Sequence, residues 1–274
     1  MENEQRKPDA RDMREDSDGK SMDNFFFKKI TIEGDAHLFV CKGYSRVVGT
    51  GKLKNAFLFK KQLHANIYKV DNHILKVCYS QSIPKDIFRK YALRSQAERE
   101  SKSAAILSEL GLFTPKTYFS AFSVFPKMRN GVESMHEMNF MVGYDDLNPR
   151  FVYRPDCLNI IRCFGHDLAV MLNAMLCPKD LGLGNVMYHP GDDKLAWIDS
   201  DLRHFKNKET LARTVMSRLG RRFLNYLDNC QADTFWRSFC EKSILFTKKK
   251  ELFSYGKIDY SKNKVAQDVY QRIK

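Results

Sequence analysis

The chain has 274 residues, 43% of them hydrophobic, which is enough for one two-lobed domain with a real core and too little for several. Its 46 Lys and Arg against 33 Asp and Glu give a formal charge of +13, which favours an anionic partner such as nucleic acid, a phospholipid face or a phosphorylated glycolipid. The start is charged and no apolar run approaches eighteen residues, so neither a signal peptide nor a membrane span is expected.

In chain order, residues 1–24 are polar and lack apolar periodicity, as in a disordered tail. They hold 5 basic and 8 acidic residues, leaving the body with 41 against 25, about +16 by formal count. Phe25 to Val40 alternates as a β-hairpin turning at Glu33-Gly34-Asp35. Val47 to Phe57 reads as strand, Gly-rich turn and strand. Gly49 and Gly51, lacking Cβ atoms, would let that backbone lie close over phosphates, although an ordinary hairpin has the same pattern. A P-loop is excluded, because Arg46 stands five before Gly51 and Leu53 follows Lys52.

Ala56 to Lys69 and His73 to Cys78 supply further strands. Lys76 sits inside the second, where a buried ammonium requires a carboxylate or phosphate partner; the alternative is the wet face of an edge strand. Gln96 to Leu110 is a helix with Ala104, Ile106, Leu107 and Leu110 on one side, ended by Gly111 and Pro115. Glu100 is the first choice to pair with Lys76, with Glu98 as the alternative, and either also fits a solvated surface acid. Tyr118 to Met128 and His136 to Tyr144 form the next strand pair around Arg129-Asn130-Gly131. Cys157 to Leu176 is a helix whose stripe is Ile160, Ile161, Phe164, Leu168, Met171 and Leu172.

That helix runs into Lys179-Asp180-Leu181-Gly182-Leu183-Gly184-Asn185, and Trp197-Ile198-Asp199 follows, with Asp199 fourteen residues after Asn185. An Asp and an Asn five apart, then an Asp closing an apolar run, is a phosphoryl-transfer pattern. One carboxylate orients or deprotonates an acceptor hydroxyl, while the amide oxygen and the second carboxylate hold Mg²⁺ against nucleotide phosphates. Downstream, Leu211 to Leu227 is a basic helix with Val215, Met216, Leu219 and Phe223 on one side. Its Arg213, Arg218, Arg221 and Arg222 suit either a solvated face or a clamp on substrate phosphates. Lys248-Lys249-Lys250, near Phe246, Leu252 and Phe253, suits a membrane contact or an ordinary helix end.

A Gly-rich hairpin, a strand Lys, a helix Glu, Asp-x-x-x-x-Asn and Ile-Asp, in that order, resemble the protein-kinase-like superfamily over roughly Lys42 to Asp201. The chain is similar to two bacterial groups within it. One is the YrbL-like proteins of the PhoP regulatory network, with their Gly-Thr-Gly-basic hairpin. The other is the lipopolysaccharide-core kinases acting on Kdo or heptose, whose metal motif often reads Ile-Asp-x-Asp, like Ile198-Asp199-Ser200-Asp201 here, and which resemble this chain in a basic helix soon after it, compare Arg218-Leu219-Gly220-Arg221-Arg222-Phe223. The resemblance implies an α+β, two-lobed protein-kinase-like fold, with a small antiparallel sheet lobe carrying one helix over 25–144 and a larger helical lobe over 145–274. It implies ATP and Mg²⁺ as cofactors. Gly49 and Gly51 would cover the phosphates, Lys76 would bind them with Glu100 as its orienter, and Gly143 in the Met141–Tyr144 hinge would lie near the adenine. Asp180 would position the acceptor, and Asn185 and Asp199 would hold the metal.

The departures are Pro178-Lys179 where protein kinases have His-Arg before the catalytic Asp, Lys54 at the third glycine, Asp199-Ser200-Asp201 for Asp-Phe-Gly, and no Ala-Pro-Glu. Lys179 either neutralises transferred phosphate charge or merely flanks the loop. Without a peptide-docking segment, the expectation is an anionic glycolipid or phosphosugar acceptor, a sugar hydroxyl of the lipopolysaccharide core. A protein Ser/Thr kinase and a catalytically silent regulatory binding protein are the alternatives. Nucleic acid is not favoured, for the basicity has no recognition motif beside it. Seven scattered cysteines without C-x-x-C spacing read as reduced thiols, so the expected location is the cytoplasm, with peripheral contact at the inner membrane. His166-Asp167 reads as a core or helix-surface pair, and there is no G-x-S-x-G of a hydrolase.

Overall fold

The computed structural model describes residues 25–32, 35–45, 47–48, 56–91, 95–125, 131–199 and 201–247. The tail 1–24, the Gly49 and Gly51 turn, Arg129-Asn130, Ser200 and Lys248-Lys249-Lys250 lie outside these residues.

Strands β1 (Phe26–Ile32) and β2 (Asp35–Gly43) pair antiparallel from Phe26 opposite Cys41 to Ile32 opposite Asp35. Their alternation turns Ile30, Ile32, Phe39 and Cys41 inward, all buried. Next come β3 (Phe57–Lys61), β4 (Ala65–Val70) and β5 (His73–Tyr79). The stretch Ala56–Lys69 is divided between β3 and β4, because Gln62 N–H bonds Ala65 O at 2.8 Å and closes a turn. No Gly or Pro marks that turn in Gln62-Leu63-His64, so composition does not signal it.

Two helices follow where one was expected, α1 (Ile83–Tyr91) and α2 (Gln96–Glu109), and then β6 (Thr117–Ser123) and β7 (Val132–Asn139). The Ser95 hydroxyl accepts from Glu98 N–H at 3.2 Å and caps the start of α2. Gly111, at φ +77°, turns the chain away from its end. The seven strands form one antiparallel sheet in the order β1-β2-β6-β7-β5-β4-β3. Its core holds Leu75, Val77, Phe119 and Met135, so β5 is an inner strand with a dry face.

The second half is built on α3 (Cys157–Asn173), whose stripe Ile160, Ile161, Phe164, Leu168, Met171 and Leu172 is wholly buried. Short strands surround it: β8 (Asp145–Asp146), β9 (Leu176–Pro178), β10 (Val186–His189), β11 (Lys194–Trp197) and β12 (Leu202–His204). Helices α4 (Lys208–Arg222) and α5 (Asn229–Lys242) complete the body. α3 and α5 cross closely at Gly165, where a Cβ would meet Phe235 O at 2.8 Å. Phe164 stacks on Phe223 at 4.2 Å, and the Trp197 indole N–H donates to Asp167 at 2.8 Å, tying β11 to α3. The helix expected over Leu211–Leu227 stops at Arg222. Phe223 leaves helical geometry there to bury its ring, and a 3₁₀ turn follows. Leu107 of α2 belongs to this second core, so α2 links the sheet to the helical body.

Candidate nucleotide and phosphoryl-transfer site

Lys76 lies on β5 between β4 and β7 with its side chain 5% exposed, not on a wet edge. Its ammonium donates to both carboxylate oxygens of Glu100 on α2, at 3.1 and 3.0 Å. It also contacts Asp199. Burial works against the charge, but Glu100 and Asp199 outweigh it and hold the Lys76 pKa above its usual value. Glu98 points elsewhere and pairs with Lys102 at 2.8 Å, one turn along the same helix.

Glu100 has two further partners. Gln96 Nε2 donates to it at 2.8 Å, and His136 Nε2 of β7 lies 3.3 Å from its other oxygen. Burial and the Lys76 ammonium, working against Asp199, push the His136 pKa down to about 3, so the imidazole is neutral at ordinary pH. Neither residue was singled out from sequence. Gln96 carries a readable signal, an i,i+4 step from Glu100 on a helix; His136 is visible only through the β5–β7 register that sets it opposite Lys76.

Asp199 follows β11 at φ +53°, in the left-handed region that Asp tolerates better than most residues. Burial and the charge of Glu100 raise its pKa against the pull of Lys76. The pairing of β10 with β11 brings Asn185 alongside, since Ile198 N–H bonds Asn185 O at 2.9 Å. Asn185 Nδ2 donates to Asp180 O at 2.9 Å, which directs its Oδ1 away from that bond. Lys76, Glu100, Asn185 and Asp199 line one cavity of about 150 Å³ between the sheet and the helical body, with Phe59 and Met187 across from them. A larger cavity, about 490 Å³, lies between α2 and β6 and touches none of these four.

Asp180 does not line the smaller cavity. Its carboxylate is held by Arg222 at the end of α4. Lys179 turns to Asp201 at 2.8 Å, and Arg99 of α2 reaches the same oxygen at 2.9 Å. Lys179 N–H also bonds Asp201 O at 2.8 Å, while Ser103 accepts from Leu202 N–H at 2.9 Å. Asp201 therefore fastens α2, with Glu100, to the loop of Asp180. The sequence marks it only as the second Asp of Ile-Asp-Ser-Asp.

Gly143 stands outside the cavity lining at φ +79°, in a turn where a Cβ would meet His189 Nε2 at 2.7 Å. Asn139, Phe140 and Met141 line the cavity instead, because β7 ends at Asn139 and Phe140 N–H bonds Asn72 O at 2.7 Å. Although Gly49 and Gly51 lie outside the described residues, their approach is visible. Buried Glu137 of β7 accepts from Ser45 Oγ at 2.5 Å and Val47 N–H at 3.2 Å.

No group of three or more His, Cys, Asp or Glu able to hold a metal occurs among the described residues. The donors at hand are hard oxygens, one carboxylate and one amide. That set fits Mg²⁺, which is commonly held by one or two carboxylates plus phosphate oxygens and water. The buried Glu100 and the partly exposed Asp199 against a single ammonium also leave this site short of positive charge.

No family model matches the sequence, and no curated protein matches it. Among solved structures, a crystal structure of WbdD is similar with a TM-score of 0.51 at 10% identity, over 90% of this chain and 58% of that one. WbdD is described as a bifunctional kinase-methyltransferase. The fold is kinase-like. WaaP in complex with acyl carrier protein is similar at 12% identity and a TM-score of 0.46, over 79% of this chain and 88% of that one. A choline/ethanolamine kinase family protein from Mesorhizobium loti gives 10% and 0.46, over 83% of each chain. At such identities the likeness is one of fold.

Proposed function

We propose that the chain is an ATP- and Mg²⁺-dependent phosphotransferase, with 25–144 as its nucleotide lobe and 145–274 as its catalytic lobe. The observation that carries this reading is the buried Lys76–Glu100 pair sharing its ammonium with Asp199 in a cavity that Asn185 also lines. Bound Mg²⁺-ATP supplies the transferable phosphoryl group. Lys76 neutralises phosphate oxygens while Glu100, braced by Gln96 and His136, keeps the ammonium aimed. Asp199 and Asn185 would hold the metal through their side-chain oxygens, and Gly49 and Gly51 would cover the phosphates. Asp180 accepts the proton of the acceptor hydroxyl once Arg222 has moved to an anionic group on the acceptor. Lys179 meets charge on the transferred group.

The proposed acceptor is a sugar hydroxyl of a lipopolysaccharide-core glycolipid at the cytoplasmic membrane face. The guanidinium beside Asp180 and the basic surface favour a phosphate- or carboxylate-bearing substrate. Phosphate transfer from labelled ATP to core-bearing glycolipid, compared with glycolipid lacking the core, tests this; equal labelling of both would refute it. The Arg222–Asp180 contact also favours a second reading, a silent kinase-like binding protein in which that pair stays closed. Under it Asp180→Ala leaves function intact, whereas under the first reading transfer is lost.

A further inference from the structure

Helix α1, between β5 and α2, is inside out. Of its side chains from Ile83 to Phe88 only Asp86 is buried, at 1% exposure, while Ile83, Ile87 and Phe88 are 43, 50 and 73% exposed. Ile83 with Ile87, and Pro84 with Phe88, are four apart, so these residues share one continuous face turned away from the side that Asp86 anchors. No described element covers that face. The charge around it is one-sided. From Ile83 to Tyr91 the helix carries Lys85, Arg89 and Lys90 against Asp86 alone, and Asp86 is buried. Lys85 is exposed, and its partner, Gln81 at 3.4 Å, is neutral.

We infer that α1 is a membrane-surface element, laying Ile83, Ile87 and Phe88 into an anionic phospholipid bilayer while the basic residues around it meet the headgroups. An apolar helix face flanked by cations is what the interface between headgroups and acyl chains selects. The chain's +13 charge adds long-range attraction to the same surface. A second copy of the chain is the poorer occupant: three side chains fall short of the roughly 800 Å² per partner that a stable dimer buries. No described helix is long and apolar enough to cross a membrane, so the contact is peripheral to the bilayer. It would bring the proposed glycolipid site to its substrate, yet it involves neither nucleotide nor Asp180.

The test is sedimentation of the full chain with vesicles of phosphatidylcholine alone or with phosphatidylglycerol added, without ATP. Wild type should bind the anionic vesicles at least tenfold better than the neutral ones. The double variant Ile87→Ser/Phe88→Ser should lose at least tenfold in that binding while keeping its circular dichroism and unfolding midpoint. Should the double variant fail to fold, Phe88→Trp gives an independent readout. The native Trp197 and Trp236 are buried, so a blue shift on adding anionic vesicles would come from position 88. Undiminished binding by a folded double variant, no blue shift in the Phe88→Trp protein, or a concentration-dependent dimer lost in the double variant without vesicle binding would each overturn the inference. Because nucleotide is absent throughout, such a failure would leave the nucleotide-site reading untouched.

Discussion

Replacing Glu100 by Gln keeps the shape of the side chain and removes its charge, which makes it the sharpest single test of the buried ion cluster. Charges 3.0 Å apart attract by about 5 kcal/mol at an effective dielectric of ~20. Desolvation of two side chains that are 5 and 6% exposed offsets part of this. Asp199 remains to neutralise Lys76, so the expected loss lies below the roughly 3–5 kcal/mol of a fully broken buried pair, at about 2 kcal/mol. For a chain of this size that corresponds to a fall in Tm of about 4–8 °C. Urea unfolding followed by the fluorescence of Trp197 and Trp236 would measure it. Glu98→Gln is the matched control: its partner Lys102 is 69% exposed, so the change should stay within about 0.5 kcal/mol. A Glu100→Gln protein as stable as wild type, or a Glu98→Gln protein equally weakened, would refute the reasoning.

Two further outcomes follow from the same cluster. Asp201→Asn should lower the rate of phosphate transfer about tenfold with little change in nucleotide affinity, since it unfastens Lys179 and Arg99 without touching the cavity; steady-state kinetics would separate the two effects. His136 ties stability to pH. Its folded-state pKa, about 3, lies below the ordinary 6.5, so between those values the unfolded chain binds the extra proton and stability falls as pH drops, by up to about 1.4 kcal/mol per unit. Denaturation curves from pH 7 to pH 5 should be flatter for His136→Gln than for wild type, and parallel curves would count against a neutral buried imidazole.

What could be read from the sequence depended on whether a residue's role follows from chemistry that repeats in a fixed order. Lys76, Glu100, Asn185 and Asp199 stood out because a lone Lys in an apolar strand, a helix acid and an Asp–Asn–Asp series follow one another in the order that phosphoryl transfer uses, and the structure brings these four to one cavity. The stripe of α3 was equally legible, since a wholly buried helix face must be apolar at 3.6-residue spacing. Tertiary partners were not. Arg222 meets Asp180 from the end of α4, and Arg99 meets Asp201 across the two bodies, through contacts that no local pattern encodes. Helix α1 was missed because its apolar residues face outward, so hydrophobic periodicity had no core to report. Asn139–Met141, rather than Gly143, line the cavity because the end of β7 is set by backbone bonds to neighbouring segments rather than by composition. Gly143 instead serves a left-handed turn.

The most direct test of the central claim is nucleotide binding by thermal shift, with ATP alone and with ATP and Mg²⁺, on wild type and Asp199→Ala. ATP should stabilise wild type, more so with Mg²⁺, and the metal-dependent part should be missing from the variant. A wild-type protein indifferent to ATP and Mg²⁺, or an Asp199→Ala protein that keeps the full metal-dependent shift, would contradict that claim.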